Sequence, residues 1–194
     1  MPESKELKKD ESHSWGREIW EIIKVLLISL AIVLPIRYFV AQPFIVRGAS
    51  MEPNFEDREY LIIDEVSYYF RVPQRGEPIV FRYPRDPRQF FIKRIIGLLG
   101  ETVEIKNGRI KIFNTGNPAG FLLEESYLDP PDHPTTPEGE FVLTEDEYLV
   151  LGDNRDFSSD SRAWGPLKKK FIVGRTLFRA WPVSKFGLIP DYTS

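Results

Sequence analysis

The sequence predicts a mainly β protein, an antiparallel β-sheet domain following one N-terminal transmembrane helix. Three observations carry this expectation. One long apolar run lies near the start, a series of short runs rich in β-branched and aromatic residues follows it, and no helical period of comparable length appears after it. A length of 194 residues suits one well-packed domain with an appendage.

Residues 1–18 read as a polar, mixed-charge tail on the cytoplasmic side. Residues 19–41 read as the anchor, built on IIKVLLISLAIVLPIRYFV from Ile22 to Val40. Lys24 and Arg37 interrupt the run near its ends, where such cations snorkel to the interface, and Trp20 and Tyr38 stand at headgroup level. The competing reading is a buried core helix, since the uncharged stretch Val25 to Ile36 is short for a span. Phe39, two positions before Ala41, does not suit a small-x-small cleavage site, so the run is expected to be retained. Lys5, Lys8, Lys9, Arg17 and Lys24 outnumber Arg37 and Arg47, which places residues 42–194 outside a cell membrane crossed once.

The strand runs of that domain are PFIVRG, EYLIID, EPIVFRY, RQFFIKRIIGL, ETVEIK, RIKIF, GEFVL, EYLVLGD and FIVGRTLFRAW. Asn107-Gly108, between two of them, is a type I′ hairpin signal. Residues 114–140, rich in proline, are expected to form a long surface excursion.

Composition excludes several chemistries. The net charge of -3 is spread along the chain and offers no basic field for nucleic acid. Without cysteine there is no disulfide, thiol nucleophile or cysteine-bound zinc. The two histidines, His13 in the tail and His133 within Pro-Pro-Asp-His-Pro, are poor candidates for a buried catalytic imidazole.

Three stretches remain where chemistry is expected. In Arg47-Gly48-Ala49-Ser50-Met51-Glu52-Pro53-Asn54, Gly48 and Ala49 leave little bulk over the Ser50 hydroxyl. A tight turn and a nucleophile are equally compatible with it. A serine nucleophile needs a base, and serine-lysine pairs replace the triad on some folds. In FFIKRIIGLLGE, strand alternation puts Phe91, Lys93 and Ile95 on one face and Ile92, Arg94 and Ile96 on the other. Of the two cations only a desolvated Lys93 can lose its proton near neutrality. Local sequence alone favours a lysine reaching solvent. LVLGDNRDFSSDSRAWG, from Leu149 to Gly165, is a polar loop suited to supporting a site, or an ordinary turn with solvated charges.

In this order, behind one apolar run, GASMEP, FIKRIIGLLGE and GDNRDFSSDSRAWG resemble the bacterial type I signal peptidases, membrane-bound serine-lysine endopeptidases. The resemblance implies Ser50 as nucleophile, Lys93 as general base and Ser158 as a hydrogen-bond partner of the lysine. It implies a structural ion pair between Asp160 and Arg162, a supporting loop with Gly152 and Asn154, and a site shaped by Gly48, Met51 and Pro53. No metal or cofactor is implied. The expected partners are preprotein signal peptides and membrane lipid, and an internal photosynthetic membrane is the alternative location. Gly48 departs from the family by standing where many members carry a hydroxyl that donates to the oxyanion. That departure supports a second reading, an anchored β-domain that binds peptides without cutting them. A third, a relative of the self-cleaving serine-lysine repressors, fits poorly with the apolar run.

Overall fold

The computed structural model describes residues 15–35, 42–190 and 192. The chain forms two compact units, Met1–Tyr38 and Phe39–Ser194. In the first, helix α1 (Trp15–Pro35) is rich in leucine, isoleucine and other residues that tolerate a helix, with Glu18 in the first turn favouring the dipole. Its large apolar side chains from Val25 to Leu34 are exposed. No helix among the described residues is long and apolar enough to cross a membrane. The reason lies in the charges: Arg17, Glu18, Glu21 and Lys24 occupy the first turns, and Glu21 and Lys24 pair at 2.7 Å. The uncharged part rises only about 16 Å, against about 30 Å of hydrocarbon. The rest of the expected anchor, 36–41 with Arg37 and Tyr38, lies outside the described residues, as does the tail over 1–14.

The second unit is built from strands β1 (Gln42–Ile45), β2 (Tyr60–Asp64), β3 (Pro78–Tyr83), β4 (Asp86–Gly97), β5 (Thr102–Lys106) and β6 (Arg109–Asn114). It continues with β7 (Asn117–Leu122), β8 (Gly139–Val142), β9 (Glu147–Leu151), β10 (Leu167–Lys168), β11 (Ile172–Trp181) and β12 (Gly187–Leu188), with the short helix α2 (Ser161–Trp164) between β9 and β10. One sheet runs β1-β2-β11-β3-β4-β9-β10 with β12 beside β11, and a four-stranded sheet runs β7-β6-β5-β8. The ladders are antiparallel, as expected for a mainly β chain.

The C-terminal half of β4 is covered on both faces. Phe91 and Ile95 pack with Ile79, Phe81, Tyr148 and Val150. Ile92 joins the cluster of Val46, Met51 and Phe55, and Ile96 joins Val103, Ile110 and Leu149. Double coverage explains why this stretch reads as a nearly continuous apolar run, and it is the condition for burying a cation there. In the hairpin of β5 and β6, Asn107 and Gly108 take φ of 52° and 75°, the turn expected from sequence.

The expected excursion over 114–140 needs a correction, because it contains β7. Pro118 is tolerated there since β7 is an edge strand, where a missing N–H costs no ladder bond. The remainder is not a free surface loop: Tyr127, Leu128 and Thr135 are buried.

Candidate active site

Ser50 lies in the turn that leaves β1. Val46 ties the turn down by donating to Glu59 O and accepting from Arg58 N, both at 2.9 Å. Met51 and Phe55, fully buried, plug it into the core below, and Phe55 N donates to Met51 O at 2.9 Å. Met51 therefore supports the site from beneath, whereas Pro53 and Gly48 are exposed. Gly48 takes φ of 84°, a region that L side chains rarely adopt, which gives a physical reason for glycine where a hydroxyl residue was the alternative. Its N–H donates to Asp57 Oδ1 at 2.9 Å.

β4 delivers Lys93 to this turn. Its Nζ donates to Ser50 Oγ at 2.6 Å and to Ile92 O at 2.8 Å, with the Phe91 ring centroid 5.6 Å away. Only 3% of the residue is exposed, so the solvated lysine favoured by local sequence is overturned. Burial pushes the ammonium down to about 8 from 10.5; Asp160 and Asp153 oppose this and Arg162 assists it.

The loop after β9 closes the site from the other side. Asn154 N donates to Ser50 O at 3.1 Å, and Asn154 Nδ2 donates to Ala49 O at 3.0 Å. Gly152 permits this approach, since a Cβ there would lie 2.4 Å from Ser50 O and 2.2 Å from Ser158 Oγ. Gly152 N donates to Asp160 Oδ2 at 3.0 Å. Arg162 donates to both Asp160 oxygens, Nε to Oδ1 at 2.8 Å and Nη2 to Oδ2 at 2.7 Å. Burial pushes the Asp160 carboxyl up, but the Arg162 pair and the Gly152 N–H outweigh it and hold the group below its ordinary value. The loop is thus no solvated turn: Asp153, Arg155 and Asp160 are all buried.

Ser158 differs from its expected role. Among the described residues it makes no hydrogen bond to Lys93, whose ammonium donates instead to Ser50 and Ile92. Ser158 Oγ is buried, makes no hydrogen bond of normal geometry, and faces the Asp160 carboxyl, which it helps to hold down.

Sequence reasoning missed the buried ion pair made by the residue that follows Lys93. Arg94, 1% exposed, donates to Asp153 through Nε at 2.8 Å and Nη2 at 2.5 Å, and to Gly76 O through Nη1 at 2.7 Å. Asn54 Nδ2 adds a bond to Asp153 Oδ2 at 2.9 Å. Its available signal was a permanent cation flanked by apolar residues, which must find a carboxylate if both strand faces are covered.

Taken together, a hydroxyl, a buried amine with a depressed pKa and a buried, hydrogen-bonded loop behind them constitute the parts for acyl transfer to a serine. The sequence profile described as "Signal peptidase, peptidase S26" matches residues 19–181. The chain belongs to this signal peptidase family. Family relatives include a signal peptidase I of Leptolyngbya laminosa, 41% identical over 177 residues that cover 87% of this chain and 83% of the relative. A probable signal peptidase I-1 of Synechocystis is 38% identical, covering 90% of each chain. A solved structure of a signal peptidase I from Enterococcus faecalis V583 matches at 33% identity with a TM-score of 0.46, over 54% of this chain and 97% of that one.

Proposed function

We propose that the protein is a membrane-bound serine endopeptidase that removes N-terminal signal peptides from exported preproteins, with Ser50 as nucleophile and Lys93 as general base. The observation that carries this reading is the 2.6 Å contact between Lys93 Nζ and Ser50 Oγ on an almost wholly buried lysine. Neutral Lys93 accepts the Ser50 proton as Oγ attacks the scissile carbonyl carbon. The resulting ammonium returns that proton to the departing amine, leaving an acyl-enzyme. Lys93 then takes a proton from water, whose oxygen attacks the ester, and hands it back to Ser50. Oxyanion stabilisation falls to the Ser50 backbone N–H, because Gly48 has no side-chain donor and its own N–H is held by Asp57.

Two features support attachment to lipid through the segment 19–41 with the β domain on the outer face. Helix α1 exposes a band of large apolar side chains, and the cations preceding it outnumber those following it. Within the β domain, Ile45, Tyr60 and Trp181 are register neighbours exposed by 46%, 44% and 54%, an apolar patch able to rest on a membrane surface. A nucleophile held near the bilayer meets a substrate whose own apolar region is held there too, raising the effective concentration.

The test is cleavage of a labelled preprotein by the purified full chain. Wild type releases the signal peptide, while Lys93→Arg, a permanent cation, and Ser50→Ala release none. Turnover by either variant contradicts the assignment.

A further inference from the structure

The proposed chemistry does not use the segment between β7 and β8, yet one residue of it touches the turn that carries Ser50 and the residue after Lys93, and reaches the loop after β9 through its neighbours. Tyr127 is 5% exposed. Its carbonyl oxygen accepts from Asn54 Nδ2 at 2.6 Å, in the turn that carries Ser50. Its ring lies 4.1 Å from the guanidinium carbon of Arg94, the residue after Lys93. Its hydroxyl donates to Glu125 Oε1 at 2.7 Å, and burial raises this phenol well above its ordinary pKa, so it remains a donor.

Glu125 carries the connection onward. It pairs with Arg155 through both oxygens, Oε1 at 2.5 Å and Oε2 at 3.1 Å. Arg155 Nε in turn donates to Gly152 O at 3.1 Å, at the point where the loop after β9 meets Ser50 O. The same segment supplies Thr135 Oγ1 to Arg155 and Thr136 O to Arg162. The turn carrying Ser50, the strand carrying Lys93 and the supporting loop are therefore joined through one residue, by its carbonyl and its side chain, and through that residue's neighbours.

We propose that this segment is a positioning clamp for the Ser50–Lys93 pair and that Tyr127 is its positioning residue. The inference rests on the peptidase reading above. The Tyr127 carbonyl holds the turn, its ring covers the cation beside Lys93, and its hydroxyl orients Glu125 toward Arg155. Removing the ring opens a void beside Arg94 that admits water and lets β4 and the nucleophile turn drift apart. The charges acting on Lys93 are Asp153 and Asp160 of the loop after β9 and Arg162 of α2. None is changed by a Tyr127 substitution, so a shifted pH profile reports hydration of the lysine.

The experiment compares kcat, KM and the pH profile of preprotein cleavage for the full chain and for Tyr127→Leu, Tyr127→Phe and Asn54→Ala, with Ser50→Ala as the blank. Tyr127→Leu lowers kcat about tenfold with KM within about twofold, and raises the acid limb of kcat/KM by about half a pH unit. Tyr127→Phe, which keeps ring and carbonyl, restores kcat to within about threefold of wild type. Asn54→Ala, which detaches the nucleophile turn without touching the buried ring, lowers kcat about fivefold. A folded Tyr127→Leu protein with wild-type kcat and acid limb overturns the clamp, whatever its melting temperature. Should that variant not fold, wild-type kcat in Asn54→Ala overturns it instead. Wild type that releases no product refutes the peptidase reading itself; cleavage by wild type matched by these variants refutes the clamp alone.

Discussion

In the four-stranded sheet, the buried positions of β5 and β6 are Val103, Ile105, Ile110 and Ile112, and no charge lies among them. Around β4 and the loop after β9 the buried positions include Lys93, Arg94, Asp153, Arg155 and Asp160. Hydrocarbon burial stabilises the first region directly. In the second, desolvation offsets much of the attraction within each ion pair, so the charges contribute little net stability. What they fix is position, through bidentate pairs: Arg94 with Asp153 and Arg155 with Glu125 join separate elements, while Arg162 with Asp160 braces the loop locally at the start of α2. The one buried cation of the site region without a carboxylate partner within ion-pair distance, among the described residues, is the lysine at the serine.

Substitutions in the two regions should therefore separate activity from stability. Outside Ser50 and Lys93 themselves, Gly152→Ala has the largest expected effect on activity. Its Cβ would meet the Ser50 carbonyl at 2.4 Å, forcing the nucleophile turn away and lowering kcat about a hundredfold in a protein that still folds. Wild-type kcat in this variant removes the claim that the loop sets the position of Ser50. Ile110→Ala is the opposite case, costing about 4 kcal/mol in denaturant unfolding while kcat of the folded fraction stays unchanged. A kcat loss there erases the contrast between the regions.

Lys93→Met gives a smaller change that depends on pH. The folded pKa is depressed, so below about 8 the fold must hold a buried ammonium, and that burden is relieved as pH rises toward 10.5. Methionine has no such burden. The variant should exceed wild type by up to roughly 3 kcal/mol near neutral pH, with the gap closing between about 8 and 10.5. A gap independent of pH contradicts a strained lysine.

The β architecture was legible because its strands announce themselves by period and residue type, and Asn107-Gly108 by the positive φ it tolerates. β7 was not, since Pro118 argues against a strand unless the strand is known to be at an edge. Ser50 and Lys93 were found as a pair by chemistry and family resemblance, but the burial of Lys93 was invisible locally. It depends on β3 and β9 flanking β4, which are pairings at long range. The Asp160 and Arg162 pair was expected from the family resemblance, whereas Asn54, Tyr127 and Glu125 were not legible, because nothing in a proline-rich stretch marks which carbonyl another turn will meet. The Ser158 contact was expected by family resemblance alone and is absent from this arrangement. The apolar helix was legible as a helix, but its charged first turns leave the described part short of a span.

The central claim is an amine that titrates near 8 instead of 10.5, so that a neutral fraction able to act as base exists near physiological pH, while it touches the proposed nucleophile. Its most direct test is an NMR titration of the full chain labelled at the lysine ε-carbon, with Lys93→Arg identifying the resonance. A Lys93 midpoint near 8 is the expected result. A midpoint near the ordinary 10.5 would contradict the account, since the lysine would then be a charged donor and no base for Ser50.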